Sequence, residues 1–134
     1  MHAKHSIVVS VDLEHIDELG HVNFLELQRL VFVAHRQIMR KFGVDINTLK
    51  EQDFCLMMLV VEKVEFHREL KLGDILDIKF VINRTRPMVL KFEVQVFSSD
   101  LLSASLSYEM VTAKFSTKRP IAVHKTPVKV LIEA

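Results

Sequence analysis

The chain has 134 residues, 49% of them apolar, with 18 Lys plus Arg against 17 Asp plus Glu. That length makes one domain able to bury its own core, and a net charge of +1 argues against a nucleic-acid binder, which is usually more basic. No apolar run reaches the ~18 uncharged residues of a membrane span, Met1–Val11 lacks a signal peptide's apolar centre, and the lone Cys55 leaves no internal disulfide, so a reducing cytoplasm is the expected compartment.

His5 to Leu13 alternates and is rich in β-branched residues, which predicts a first strand. Asp17-Glu18-Leu19-Gly20-His21-Val22-Asn23 follows as a tight turn. From Phe24 to Phe42 a helix is predicted: Phe24, Leu27, Val31, Ala34 and Ile38 trace one stripe. Leu25, Leu30, Phe32, Val33 and Met39 widen that stripe, leaving Glu26, Arg29, Arg36 and Arg40 as a narrow polar edge. A helix so apolar is expected to be mostly wrapped by other structure. Gly43 stops it, and a short helical turn can follow over Asp45–Gln52.

The remainder reads as strands over Phe54–Leu70, Asp74–Thr85, Val89–Ser98 and Leu101–Phe115. Val128–Ile132, within the segment 126–134, is expected as a last edge strand or a tail. One long helix against an antiparallel sheet of five or six strands is an α+β architecture in a single domain, residues 1–134. An open sheet leaves edges to cover. High apolar content at near-zero net charge points the same way, to a surface covered by another subunit. Phe54–Leu70 is the natural strand to pair with its own copy.

The acidic turn carries the chemistry. A helix N-terminus offers unpaired N–H groups and a partial positive charge. A carboxylate beside it can act as base or nucleophile on a carbonyl whose oxygen those groups hold. Asp17 also fits a plain turn or cap role. Asn23 reads first as an N-cap and second as a substrate-positioning group. His21, four residues after Asp17, reads as a packed turn residue or as the partner of a base. Glu65 alternates onto a solvated face, and Cys55, with no basic neighbour to lower its pKa, reads as inert. The histidines and the cysteine lack zinc spacing, so no metal is expected.

The Asp-x-x-Gly-His-Val-Asn run at 17–23, the Phe66-His67-Arg68-Glu69-Leu70-Lys71-Leu72-Gly73-Asp74 turn and the strand order together resemble the hotdog-fold acyl-CoA thioesterases of the 4-hydroxybenzoyl-CoA thioesterase-like branch, from His5 to about Lys125. The resemblance implies a sheet wrapped round a central helix, dimers with a continuous shared sheet, often tetramers, and an active site at the dimer interface. It places Asp17 at the catalytic aspartate, Gly20, His21 and Val22 on the turn into the helix, and the Phe24 backbone N–H at the donor that polarises the thioester carbonyl. His15 stands where many relatives have an acid, and Phe24 where many have Asn, Tyr or His, which alters substrate contacts more than chemistry.

The function expected is hydrolysis of acyl-CoA thioesters, with no cofactor beyond the CoA of the substrate. His67 is a candidate pocket residue. Arg84, Arg86, Lys118 and Arg119 are candidates for the CoA phosphates. No Gly-rich phosphate loop or Gly-x-Ser-x-Gly elbow is present. Two alternatives stay open: a hydratase or dehydratase using Asp17 with His21, and a non-catalytic acyl-CoA binding module.

Overall fold

The computed structural model describes residues 2–133, the side chain of His2 excepted. Its main elements are β1 (His2–Ser10), α1 (Phe24–Lys41), α2 (Ile46–Glu51), β2 (Phe54–Phe66), β3 (Ile75–Arg86), β4 (Val89–Ser98), β5 (Leu101–Lys114) and α3 (Val130–Glu133). The strands form one sheet in the order β1-β3-β4-β5-β2, with every neighbouring pair antiparallel. This is the α+β hotdog architecture expected from the sequence: five strands and one long helix.

Alternation along the strands decides which side chains meet α1. Ile78, Phe80 and Ile82 of β3, Leu90, Phe92 and Val94 of β4, and Leu106 and Tyr108 of β5 are buried together with Leu27, Leu30, Val31, Ala34 and Ile38 of α1. Asn23 caps the helix, its Oδ1 accepting from the Glu26 N–H at 3.0 Å. At the other end Gly43 takes φ +71°. Its N–H donates to the Arg40 carbonyl (3.1 Å) and the Val44 N–H to the Met39 carbonyl (2.9 Å), the paired bonds of a Schellman stop.

Two expectations are corrected. Val130–Glu133 is helical rather than an edge strand. Pro127 opens a 3-10 turn that leads into it, and α3 packs on the β1 side, where the Leu131 carbonyl lies 3.1 Å from His5 Nε2. Nor is α1 wrapped on all sides. Phe24, Leu25 and Val33 are 58%, 55% and 39% exposed, because the sheet covers one face of the helix and stops at β2.

That edge is unusual. Met58, Leu59, Val60 and Val61 of β2 are each more than 40% exposed. Consecutive strand residues point to opposite faces, so both faces of β2 are open there, as well as its outer hydrogen-bonding edge.

Left-handed backbone costs an L side chain about 1–2 kcal/mol, and nothing lies within 4 Å of a Cβ built on Gly43. Gly43→Ala therefore lowers the unfolding free energy by about 1–2 kcal/mol in urea titration, through backbone strain alone; an unchanged value would contradict this account of the helix stop.

Candidate active site

The 17–23 segment folds as a closed loop. The Asp17 N–H donates to the His21 carbonyl and the Gly20 N–H to the Asp17 carbonyl, both at 3.0 Å. Gly20 sits at φ +81°, a conformation glycine adopts without strain. Asp17 Oδ1 accepts from the Leu19 N–H (2.9 Å) and the His21 N–H (3.3 Å). Its second oxygen has no partner among the described residues. The loop is anchored by Val22, which is buried and donates its N–H to the Leu70 carbonyl (3.1 Å), just past the end of β2.

The helix therefore begins where the loop that bears this oriented, half-buried carboxylate ends. Asn23 Oδ1 takes the Glu26 N–H, while no group among the described residues accepts from the N–H of Phe24 or Leu25. These are the free donors that a helix start offers. His21 does not turn towards Asp17. Its Nε2 lies 3.1 Å from the Glu69 carboxylate.

Other candidates fall elsewhere. His67 Nε2 meets Ser105 Oγ at 3.1 Å, and Ser105 lies between the buried Ala104 and Leu106, so His67 stands on the outer face of the sheet, away from α1. Glu65 is half-exposed and pairs with Lys63 (3.5 Å) and His67 (3.8 Å). Arg84 and Arg86 end β3, and Lys118 and Arg119 follow β5. In one protomer these four stand at the end of the sheet opposite the Asp17 loop, since that loop follows Ser10, which pairs with Ile75 at the start of β3. Arg86 faces Glu109 at 3.9 Å; Lys118 Nζ donates to the Phe115 carbonyl and lies over the Phe115 ring.

Asp12, Glu14 and His15 bring one ligand atom each within 4.8 Å of one another. The turn itself explains the grouping, because the Asp12 N–H donates to His15 Nδ1 at 2.9 Å. Among the described residues no helix is long and apolar enough to cross a membrane.

Two openings flank the exposed side of α1. A groove of about 660 Å³ runs along its first half, from His15 and Leu25 to Phe32 and Arg36. A smaller cavity of about 230 Å³ lies beyond it, walled by Phe32, Met39, Leu49, Phe54 and Met110. His35 also lines this cavity, and sequence reasoning missed it. Its Nδ1 lies 2.9 Å from the Tyr108 hydroxyl, and the two rings pack with Phe32 and Phe92. The available signal was a lone histidine on the buried helical stripe.

A profile of the thioesterase-like superfamily matches residues 11–128. The chain belongs to that superfamily and falls in the class of thioester hydrolases. A sequence search of curated proteins finds no match. Among solved structures, it is similar to a 1,4-dihydroxy-2-naphthoyl-CoA thioesterase from Synechocystis (TM-score 0.84, 15% identity, covering 94% of this chain and 96% of that one). A DHNA-CoA thioesterase from Staphylococcus aureus gives a TM-score of 0.80 at 14% identity, covering 91% and 82%. A hypothetical protein from the same organism, solved in complex with CoA, gives 0.84 at 16%, covering 96% and 81%. At such identities the likeness is one of fold.

Burial, and secondarily the charge of Arg36, push the His35 imidazole down from 6.5 to about 4. The unfolded chain binds the proton near 6.5 and the folded chain only near 4, so acid favours unfolding. The neutral ring's contribution is complete above about pH 6.5 and fades as pH falls towards 4, by roughly 3 kcal/mol in all. Urea unfolding between pH 7 and pH 4 should show a steeper loss for the wild type than for His35→Phe; parallel profiles would contradict the assignment.

Proposed function

We propose that the protein hydrolyses acyl-CoA thioesters at a site shared by two copies of the chain. The observation that carries this reading is the Asp17 loop: one carboxylate oxygen held by two backbone N–H groups, the other without a partner among the described residues, as are the first N–H donors of the helix that follows the loop.

Asp17 acts as general base or as nucleophile. As base, its free oxygen takes a proton from water while the water oxygen attacks the thioester carbon. As nucleophile, it attacks that carbon to give a mixed anhydride, which water then opens. In either route the C–S bond breaks, the CoA thiol leaves and the free acid remains. The Phe24 N–H holds the carbonyl oxygen as charge develops on it, a donor typically worth about 3–4 kcal/mol. Gly20 and Val22 set the loop, and Asn23 keeps the helix start in place. His21, bound to Glu69, braces the loop. That geometry favours hydrolysis over the hydratase reading, which needs His21 beside Asp17.

Support for a second subunit comes from β2. An antiparallel pairing of β2 with its own copy, centred near Val60, would extend the sheet and cover apolar side chains that are exposed in one protomer. Phe54 of one strand would then lie opposite about Phe66 of the other. Because Val22 is bonded to Leu70, the Asp17 loop of each subunit would arrive beside Phe54, Lys118 and Arg119 of its partner, with Arg84 and Arg86 further across the sheet. Basic groups scattered in one protomer would then stand at the mouth of the other's site, placed for phosphates. The CoA-bound neighbour and the neighbours named as CoA thioesterases are consistent with this substrate class. His67, on the outer face, keeps no part in this reading.

Asp17→Asn preserves shape and removes the base. It should lower thiol release from acyl-CoA about a hundredfold or more with unchanged thermal unfolding; full turnover in the folded variant would refute the role. Val60→Asp puts a charge on the open edge. Light scattering should find a dimer for the wild type and a monomer for the variant, and a monomeric wild type would refute the shared sheet.

A further inference from the structure

Lys118 and Arg119 sit at the tip of a small hairpin that follows β5. The chain turns back so that Pro120 pairs with Ala113. The Lys114 N–H donates to the Arg119 carbonyl at 3.0 Å and the Lys118 N–H to the Lys114 carbonyl at 2.8 Å. Residues 116–119 are exposed. Asp53, just before β2, ties this tip to the rest of the domain. Its carbonyl accepts from the Phe115 N–H at 3.0 Å. Its Oδ1 accepts from the Ser116 N–H at 2.7 Å and its Oδ2 from the Ser116 hydroxyl at 2.9 Å. All three oxygens of Asp53 thus hold the hairpin.

Asp53 does this from a position that suits glycine. It follows the Gln52 cap of α2 at φ +63°, and its N–H donates to the Lys50 carbonyl at 3.0 Å. Glycine, and after it asparagine, is the usual residue at such a helix stop, because a side chain there is strained. The side chain of Asp53 instead gains two bonds to Ser116. The Ser116 N–H, and secondarily its hydroxyl, hold the Asp53 carboxyl below the usual carboxylate range, so the acceptor is charged at neutral pH. Lys114, Lys118 and Arg119, three cations within six residues, form no ion pair with a carboxylate among the described residues. Cations on a loop already held in one shape lose less freedom on meeting a phosphate than cations on a loose one.

We propose that Asp53 is a positioning residue of the CoA site: acting through Ser116, it holds the hairpin tip so that Arg119 and Lys118 meet the phosphates of a thioester whose acyl carbon lies at the partner subunit's Asp17. The proposal rests on the hydrolase reading above and deepens it. Charge and position make opposite predictions here. Asp53 is an anion beside the cations of the tip, so its removal on electrostatic grounds alone should tighten the binding of a phosphate. Loss of the tether should weaken it. Ser116→Ala separates the two further, because it removes a tethering bond and no charge.

The first test compares kcat/KM for an acyl-CoA with that for the N-acetylcysteamine thioester of the same acid, which carries no phosphate. The ratio is independent of the fraction of protein that is folded. The wild type should favour the CoA thioester about tenfold or more. Asp53→Gly keeps the helix stop and loses the side chain, and Ser116→Ala loses the hydroxyl; each should cut the ratio about threefold to tenfold, through KM, with kcat within about twofold. Asp53→Asn, whose amide oxygen still accepts one bond, should fall between wild type and Asp53→Gly. A ratio near unity in the wild type, an unchanged or raised ratio in Asp53→Gly, or a loss confined to kcat overturns the proposal. The second test is calorimetric titration with CoA itself. Its Kd should rise about threefold to tenfold in Asp53→Gly and Ser116→Ala; an unchanged or lower Kd, or no binding to the wild type, overturns the proposal. Failure of the hydrolase reading has a different signature: no thiol release from either thioester, in which case the CoA titration alone decides the role of Asp53.

Discussion

The open edge of β2 is the constraint on which the rest of the molecule depends. Four consecutive apolar residues of that strand, Met58 to Val61, are exposed, and the helix it should help to cover has Phe24, Leu25 and Val33 in solvent. An unpaired strand edge with apolar flanks invites pairing with another strand. Another copy of β2 is the partner most consistent with an isologous contact, in which one patch meets itself. The polarity of such a pairing then determines what the site can be. It carries the start of one strand to the end of the other, and the Asp17 loop is tied to that end through Val22 and Leu70.

Within the protomer the same economy appears in smaller form. The loop that orients Asp17 is closed by its own backbone, with Gly20 supplying the positive φ. The helix it feeds is capped by Asn23 and stopped at Gly43. Between those ends α1 presents two different faces. One packs on the sheet. The other leaves a groove and a cavity whose walls come from α1, α2 and the beginning of β2. Acid and cavity thus occupy separate regions of one chain, and the proposed dimer is what would bring them together.

Much of this was legible in the sequence because it is local. The stripe through Leu27, Val31, Ala34 and Ile38 gave α1 within a residue or two, and Asn23 and Gly43 are residues whose chemistry belongs at helix ends. Alternation and apolar runs between turn residues located all five strands, although β1 spans His2–Ser10 and Leu13 lies in a 3-10 turn rather than in the strand. What was not legible depends on contacts distant in sequence. His35 meets Tyr108 across 73 positions, and period alone treats a buried histidine as one more core residue. The placement of Arg84, Arg86, Lys118 and Arg119 depends on strand order, which no local pattern encodes. His67 stands two positions after Glu65, and the alternation that puts Glu65 on the outer face carries His67 there too. The C-terminal segment is too short for its apolar pattern to separate strand from helix, and packing on the β1 side makes it helical.

The claim that the site is shared, with Asp17 from one subunit and the cavity beside Phe54 and Leu56 from its partner, is tested most directly by complementation. Asp17→Asn removes the acid, and Leu56→Trp fills the cavity that Leu56 lines. Each folded homodimer should be inert. When the two are mixed and allowed to exchange subunits, half the dimers are mixed and each of these contains one undamaged site, so about a quarter of wild-type turnover should return. A mixture no more active than its components would contradict the account, because it would place acid and cavity in the same chain.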